Sequence, residues 1–235
     1  DKIDYANKPA NIGGVIYPLE DCDFPTVDPA DPYALTPEEN QVIDQLTTAF
    51  RRSEKLQRHI RFLYSNGGLY KVHNGNLLFH ASVPLNEDGS LKDVLINGKY
   101  YKGKALLEKV GRLIRSAFNE DTASEERLFA RDYMWYLWCG KDAAPFDKDK
   151  MSTFERYFIK EKSLHKETKG YYYTLRNDEK VCDMLLDEFG VVGRHRHIIN
   201  GHVPVKTLKG ENPIKANGKL LVIDGGFSKA YQPET

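Results

Sequence analysis

The chain has 235 residues, of which 40% are hydrophobic and 29% charged, values typical of a folded globular protein and not of a disordered one. Its 34 basic residues balance 34 acidic ones, so the overall charge gives no reason to expect a nucleic acid or a membrane surface as partner. The sequence contains no bilayer-length apolar run, no visible signal peptide and no Cys-x-x-Cys pair. These features predict a cytoplasmic protein with reduced thiols, an enzyme or a part of one.

The first third of the chain predicts an extended region followed by helix. Residues 1–35 are rich in Pro, Asp and Gly and predict an extended lead-in with turns. Residues 36–39 (Thr-Pro-Glu-Glu) form a capping box with a proline suited to the first helical position. Apolar residues then keep a near-helical spacing over residues 42–63. Because residues 51–55 are polar, the segment is either one long helix or two helices with a bend.

Three of the Asn-Gly pairs in the rest of the chain lie between apolar runs and mark turns, at residues 74–75, 97–98 and 217–218. Asn-Gly between apolar runs is the strongest short-range hairpin signal, so each pair predicts two adjoining β segments. Helical patterns lie between these turns, over residues 103–139 and near residues 177–189. Within the first of these, little positive charge is interleaved with Tyr133, Trp135, Tyr136 and Trp138. We therefore predict that these aromatic side chains form core and not a base-stacking surface.

Two histidines follow short apolar strands. His80 comes directly after Leu77-Leu78-Phe79, and His202 follows the strand "HIIN" and Gly201, with a proline close behind in both cases. Side chains at the carboxyl ends of neighbouring strands converge in one crevice. The small residues Ala81 and Gly201 leave room for other groups to approach. The pattern alone leaves two interpretations open: imidazoles bound to backbone at strand ends, or ligands of a shared metal ion.

A second histidine pattern is the His195-x-His197 pair, which would project both rings to one side of a strand, as metal sites do. Arg194 and Arg196 lie beside these histidines and would repel a cation. A solvated loop is the favoured interpretation of this pair.

Three long blocks closely resemble the bacterial class III fructose-1,6-bisphosphatases, which belong to the calcineurin-like metallophosphoesterases. They are "NGNLLFHASVPLNEDGSLKD", "YLWCGKDAAPFDKDKMSTFERYFI" and "HIINGHVPVKTLKGENPIKANGKLLVIDGGFSKAYQ". The resemblance covers nearly the whole chain and is densest from about residue 33 onward. It implies an α/β fold, the later part of a calcineurin-like β-sandwich with flanking helices and family-specific insertions. Residues 1–235 would form a single incomplete domain.

The resemblance also implies functions for the two strand-end histidines. In that superfamily the corresponding residues bind the second of two divalent ions, so His80 and His202 are the implied metal ligands. One departure is Ala81, which stands where the superfamily usually has glycine. The motifs D-x-H, G-D-x-x-D-R-G and G-N-H-[DE] are absent from the sequence. We therefore expect a carboxyl-terminal part of the enzyme that carries half a metal site and is inactive alone. The catalytic residues would then lie in a missing amino-terminal part.

For the full-length enzyme the resemblance implies hydrolysis of fructose 1,6-bisphosphate to fructose 6-phosphate and phosphate, a gluconeogenic step of carbohydrate metabolism that uses Mn²⁺. A substrate with two phosphates needs a second cationic pocket, for which the candidates are Arg156, Lys206, Lys209, Lys215 and Lys219. Asp224 either orients a nearby group or forms a turn before Gly225. No nucleic acid or membrane partner is expected, whereas a homo-oligomer is possible.

Two alternatives stay open at this point. Another calcineurin-like phosphatase, acting on a nucleotide or a protein, would share both histidines. A non-catalytic regulatory or assembly module would not bind metal by itself.

Overall fold

The computed structural model describes residues 2–5, 7–118 and 124–224. The chain divides into two compact units. The first unit comprises Asp1–Gly67 with Ser152–Glu167, and the second comprises Gly68–Met151 with Thr168–Thr235. The single incomplete domain expected from the resemblance stays a prediction. Within the described part of the chain, no helix is both long and apolar enough to cross a membrane.

The first unit begins with a small antiparallel sheet, inside the segment for which the sequence predicts an extended lead-in. Its strands are β1 (Lys2–Ile3), β2 (Pro9–Ile12) and β3 (Val15–Pro18), paired in that order. The short helix α5 (Thr153–Phe158) belongs to the same unit. A small apolar cluster contains residues from both parts of this unit: Ala10, Leu19, Cys22 and Ile159.

Two helices follow, α1 (Pro37–Arg52) and α2 (Glu54–Asn66), so the two-helix alternative is confirmed. At the start of α1, the Thr36 hydroxyl accepts from the Glu39 backbone N–H, and the Glu39 carboxylate accepts from the Thr36 N–H. The break falls at Ser53, whose extended backbone ends α1 and whose hydroxyl caps α2. Neither helix buries a residue.

The second unit is built around a five-stranded mixed sheet with the order β4-β5-β8-β10-β9. Its strands are β4 (Tyr70–His73), β5 (Asn76–Phe79), β8 (His197–Asn200), β9 (Ile214–Lys215) and β10 (Leu220–Val222). The three central strands, β5, β8 and β10, are parallel to one another, and the two edge strands are antiparallel to their neighbours. The Asn-Gly turn between β4 and β5 forms as predicted, with both residues at positive φ.

The main core covers one face of this sheet. Alternate residues of the central strands, among them Leu77, Ile198 and Leu220, are fully buried, as the period of two in a strand requires. Helices α6 (Tyr172–Leu175) and α7 (Glu179–Glu188) contribute residues to the same cluster. The expected α/β fold is therefore confirmed as a fold class.

A second core lies between a hairpin and two helices. The hairpin is β6 (Val94–Ile96) with β7 (Lys99–Tyr101), and the helices are α3 (Gly103–Phe118) and α4 (Ser124–Cys139). Tyr133 of α4 is buried as predicted, but Trp135 is 70%, Trp138 64% and Tyr136 41% exposed, so the prediction is wrong for these three residues. The residues of α4 that face α3 are spaced by three and four positions, and the tryptophans fall between them.

Candidate functional site

The two strand-end histidines leave the sheet at the same edge. His80 directly follows β5, and His202 follows β8 and Gly201. These strands are parallel neighbours in which Leu78 is paired with Ile199. Beyond the last paired residues, the Gly201 N–H donates to the His80 carbonyl at 2.9 Å. Parallel pairing in this register therefore brings the two histidines side by side, as the strand pattern predicts.

The two imidazole rings face each other closely. His80 Nε2 lies 3.3 Å from His202 Nδ1, and the ring centroids are 5.1 Å apart with an interplanar angle of 70°. Two nitrogen ligands of a zinc ion, each about 2.0–2.1 Å from it, lie about 2.9–3.4 Å apart at N–metal–N angles of about 90–109°. The observed separation fits two adjacent ligands of one ion. It also fits a long hydrogen bond in which one ring is protonated at the facing nitrogen.

His202 has an unusual backbone. Its φ of 67° lies in the left-handed region, which non-glycine residues enter at a cost of about 1–3 kcal/mol. The surrounding loop is hydrogen-bonded on both sides of this residue. The Val203 N–H donates to the Gly201 carbonyl at 2.8 Å, and the Val205 N–H donates to the Asp224 carbonyl at 2.9 Å. Backbone strain of this kind is concentrated at functional sites, which favours a functional role for the ring.

The surroundings of His202 also favour its neutral form. Burial is the main factor that lowers its pKa. The neighbouring His80 ring and the charges of Lys148 and Lys169 lower the pKa further, against the opposing effect of Asp224. A histidine must be neutral to bind a metal ion, so this ring is ready for a metal near pH 7.

Asp224 lies at the same edge of the sheet, after β10. A Cβ atom at Gly201 would meet the Asp224 Cβ at 3.6 Å and its Oδ2 at 3.8 Å. The ends of three parallel strands thus present two imidazoles and one carboxylate. Among residues 2–5, 7–118 and 124–224, however, no three His, Cys, Asp or Glu side chains are grouped closely enough to hold a metal ion.

Aromatic side chains form a wall beside the histidines. The Phe146 ring centroid lies 5.3 Å from that of His202 and 6.2 Å from that of His80. Tyr173 lies 6.4 Å from His202, centroid to centroid, and its hydroxyl donates to the Phe146 carbonyl at 2.9 Å. Burial raises the pKa of Tyr173, which keeps this hydroxyl protonated and able to donate.

A buried polar layer supports the two strand ends. Asn200 Nδ2 donates to the Ala81 carbonyl at 3.2 Å and to the Tyr172 hydroxyl at 2.8 Å. Ser82 donates to the Asp147 carboxylate at 3.4 Å. The four residues whose side chains form these bonds are almost completely buried: Asn200, Tyr172, Ser82 and Asp147. Burial also raises the pKa of Asp147. These bonds connect the residues that follow β5 to the end of β8 and to the loop that carries Phe146.

The cationic residues named from the sequence occupy different settings. Lys215 Nζ lies 2.8 Å from Glu211 Oε1, and Lys219 Nζ lies 2.9 Å from Asp183 Oδ1, so both already face a carboxylate. Lys206 and Lys209 are exposed, and Lys209 lies in a 3₁₀ turn. Their assignment to substrate phosphate stays a prediction.

Arg156 lies in the first unit, where its Nε donates to the Ser152 hydroxyl at 3.0 Å and its Nη2 to the His165 carbonyl at 2.6 Å. Its assignment to substrate phosphate likewise stays a prediction.

The alternative His-x-His pattern has other partners. His197 Nδ1 lies 2.9 Å from the Gly218 carbonyl, and Arg196 forms salt bridges with Asp183 and Asp187. These contacts connect β8 to α7 and to the turn before β10, which is a structural role.

A mixed α/β protein with a histidine pair at the carboxyl edge of its parallel strands is a candidate metal-dependent enzyme. Comparison with known proteins identifies the family. The family model described as Firmicute fructose-1,6-bisphosphatase matches residues 1–235, and the chain belongs to this family.

Curated relatives carry a consistent name. Proteins named fructose-1,6-bisphosphatase class 3 are 67% identical in Phocaeicola vulgatus, 65% in Bacteroides fragilis and 55% in Clostridium botulinum, each over 235 residues. Each match covers 100% of this chain but 35% of the relative, so the chain spans about a third of the length of these proteins. No solved structure matches the chain.

Proposed function

We propose that this chain is part of a fructose-1,6-bisphosphatase, which uses water to convert fructose 1,6-bisphosphate to fructose 6-phosphate and inorganic phosphate. The family match over residues 1–235 carries this proposal. The facing nitrogens of His80 and His202, 3.3 Å apart, give the chain a place in the chemistry. The reaction belongs to gluconeogenesis in the cytoplasm, and the partners are the sugar bisphosphate and the part of the protein that this chain does not span. A homo-oligomer is part of the same proposal.

We further propose that the metal site is of the calcineurin-like type and that His80 and His202 are ligands of Mn²⁺ in it. His80 and His202 would hold a divalent ion, which when bound would supply positive charge to the reacting phosphate and would acidify a water molecule. Imidazole nitrogens suit borderline ions such as Mn²⁺ only moderately, and two neutral rings do not balance the charge of a dication. The carboxylate ligands, and the second ion of a two-metal centre, therefore depend on residues outside this chain.

The other residues at this edge have supporting roles in the proposal. Phe146 and Tyr173 hold the imidazole rings in place and keep bulk water away from one side of them. Lys148 and Lys169, paired in an isolated β-bridge, place positive charge near His202 and attract an anionic substrate. Arg156, Lys206, Lys209, Lys215 and Lys219 remain proposed contacts of a substrate phosphate.

Substitution of each histidine in the full-length protein tests the function. We expect His80→Ala and His202→Ala to lower Mn²⁺-dependent phosphate release from fructose 1,6-bisphosphate more than about 100-fold, since loss even of a residue that only supports a ligand lowers metal affinity or activity about 10–100-fold. His59→Ala, at an exposed position of α2, is the matched control and should leave turnover unchanged. Circular dichroism verifies folding of all three variants.

Near-normal turnover by either strand-end variant would contradict the ligand assignment. A panel of nucleotides, phosphopeptides and sugar phosphates separates the proposed enzyme from another phosphatase of the same type. Faster hydrolysis of a nucleotide or a phosphopeptide would contradict the proposed substrate.

A further inference from the structure

Arg176 is a buried cation without a matched partner. The residue is 6% exposed, and among the described residues its Nε and Nη1 atoms have no hydrogen-bond acceptor. Guanidinium groups stay charged in proteins, so burial without an acceptor is costly. An anion that accepts from these two nitrogen atoms would offset that cost.

Arg176 is connected to the histidine pair through a single aromatic ring. Its Cζ atom lies 5.8 Å from the ring centroid of Tyr173, and the same ring lies 6.4 Å from that of His202. Lys169 Nζ lies over the Tyr173 ring as well, 5.1 Å from its centroid. Two cations and a candidate metal ligand thus surround one tyrosine.

The nearby carboxylate of Glu211 does not supply the missing acceptor. Its Oε1 atom accepts from Lys215 Nζ at 2.8 Å, and its Oε2 atom accepts from the Lys206 N–H at 3.0 Å. The pKa of Glu211 is lowered first by the Lys215 hydrogen bond, then by that of Lys206, and only weakly by the charge of Arg176. Both oxygen atoms of Glu211 thus accept from other donors, and neither is hydrogen-bonded to Arg176.

We propose that Arg176, together with Lys169, binds the second phosphate of the substrate, the one that is not hydrolysed. This inference rests on the proposed function, in which the reacting phosphate lies at His80 and His202. A bisphosphorylated sugar needs a cationic site at a distance from the metal, and Arg176 lies one aromatic ring away from it. Guanidinium recognises phosphate through several charge-assisted hydrogen bonds.

Kinetics of the full-length enzyme with two substrates test this assignment. A charge-assisted hydrogen bond contributes about 1.5–3 kcal/mol, so Arg176→Met should raise KM for fructose 1,6-bisphosphate about 10- to 100-fold while kcat changes little. Hydrolysis of p-nitrophenyl phosphate, which has no second phosphate, should stay unchanged. Arg176→Lys should give a smaller increase in KM, because lysine keeps the charge but not the planar fork.

Two further variants keep the test decisive. Arg194→Met removes an exposed arginine of the same unit and should behave as wild type. Lys169 is exposed, so Lys169→Met is expected to keep the fold even if Arg176→Met does not. It should raise KM more for the bisphosphate than for p-nitrophenyl phosphate, which lacks the second phosphate. An unchanged bisphosphate KM in Arg176→Met and Lys169→Met would overturn the proposal, as would an equal loss for both substrates.

Thermal melting with inorganic phosphate separates this inference from the proposed function. Without added Mn²⁺, phosphate should raise the melting temperature of the wild-type protein and of Arg194→Met, and the increase should be lost in Arg176→Met. If the wild-type protein releases no phosphate from the bisphosphate, the proposed function fails, whereas the melting shift still reports on Arg176. Loss of the shift with an unchanged bisphosphate KM would mean that Arg176 binds a separate anion, which contradicts the proposal. Equal shifts in all three proteins would also contradict it.

Discussion

Helices α1 and α2 of the first unit and the central strands of the second unit have equally clear sequence signals but opposite burial. The helices bury no residue, and apolar side chains such as Leu46 and Phe50 are largely exposed. In the strands, Leu77, Ile198 and Leu220 are fully buried. A capping residue and an apolar period of 3.6 residues specify a helix, but they do not specify which part of the protein packs against it. Parallel strands, in contrast, form only when segments distant in the chain pair. For this reason the candidate site arises in the second region.

Matched leucine substitutions in the two regions test this comparison and should show the largest difference. Leu77→Ala removes buried methyl groups from the sheet core and should lower the free energy of unfolding by about 2–5 kcal/mol. Leu46→Ala removes an exposed side chain from α1 and should change it by less than about 0.5 kcal/mol. Urea denaturation followed by circular dichroism measures both. Equal losses would mean that α1 is covered as completely as the sheet.

A smaller effect is expected in the polar layer beneath the histidines. A Cβ atom at Gly170 would lie 1.7 Å from Asp147 Oδ2, so Gly170→Ala must displace this buried carboxylate. We expect a loss of about 1–3 kcal/mol in the free energy of unfolding, as for other overpacked interiors.

The double variant Asp147→Ala/Gly170→Ala identifies the cause of that loss. If the clash with the carboxylate is responsible, Gly170→Ala should have almost no effect on stability in a protein that already carries Asp147→Ala. The stability losses of the two single variants will then not add in the double variant. Additive losses would show that the Gly170 backbone is required for another reason.

The sequence predicts much of the local structure and part of the site. The Thr36 cap and the polar break near Ser53 are local signals, and both hold in the structure. The similar endings of β5 and β8 indicate that His80 and His202 belong together, because strand direction and register fix where their side chains begin.

The rest depends on burial, which a single sequence does not encode locally. Trp135 and Trp138 are typical core residues by type, but the face of α4 that meets α3 excludes them. Arg176 follows a run of tyrosines with no motif around it, and only the fold shows that its guanidinium is enclosed. The sequence likewise does not predict the role of Phe146, since its contact with both histidines comes from a loop far along the chain from β5.

The most direct test of the central claim is anomalous diffraction at the manganese absorption edge from crystals of the full-length protein grown with Mn²⁺. We predict an anomalous peak for a manganese ion at bonding distance from both His80 Nε2 and His202 Nδ1. This peak should be lost in crystals of His202→Ala. Peaks found only elsewhere, with the two imidazoles hydrogen-bonded to each other, would contradict the account.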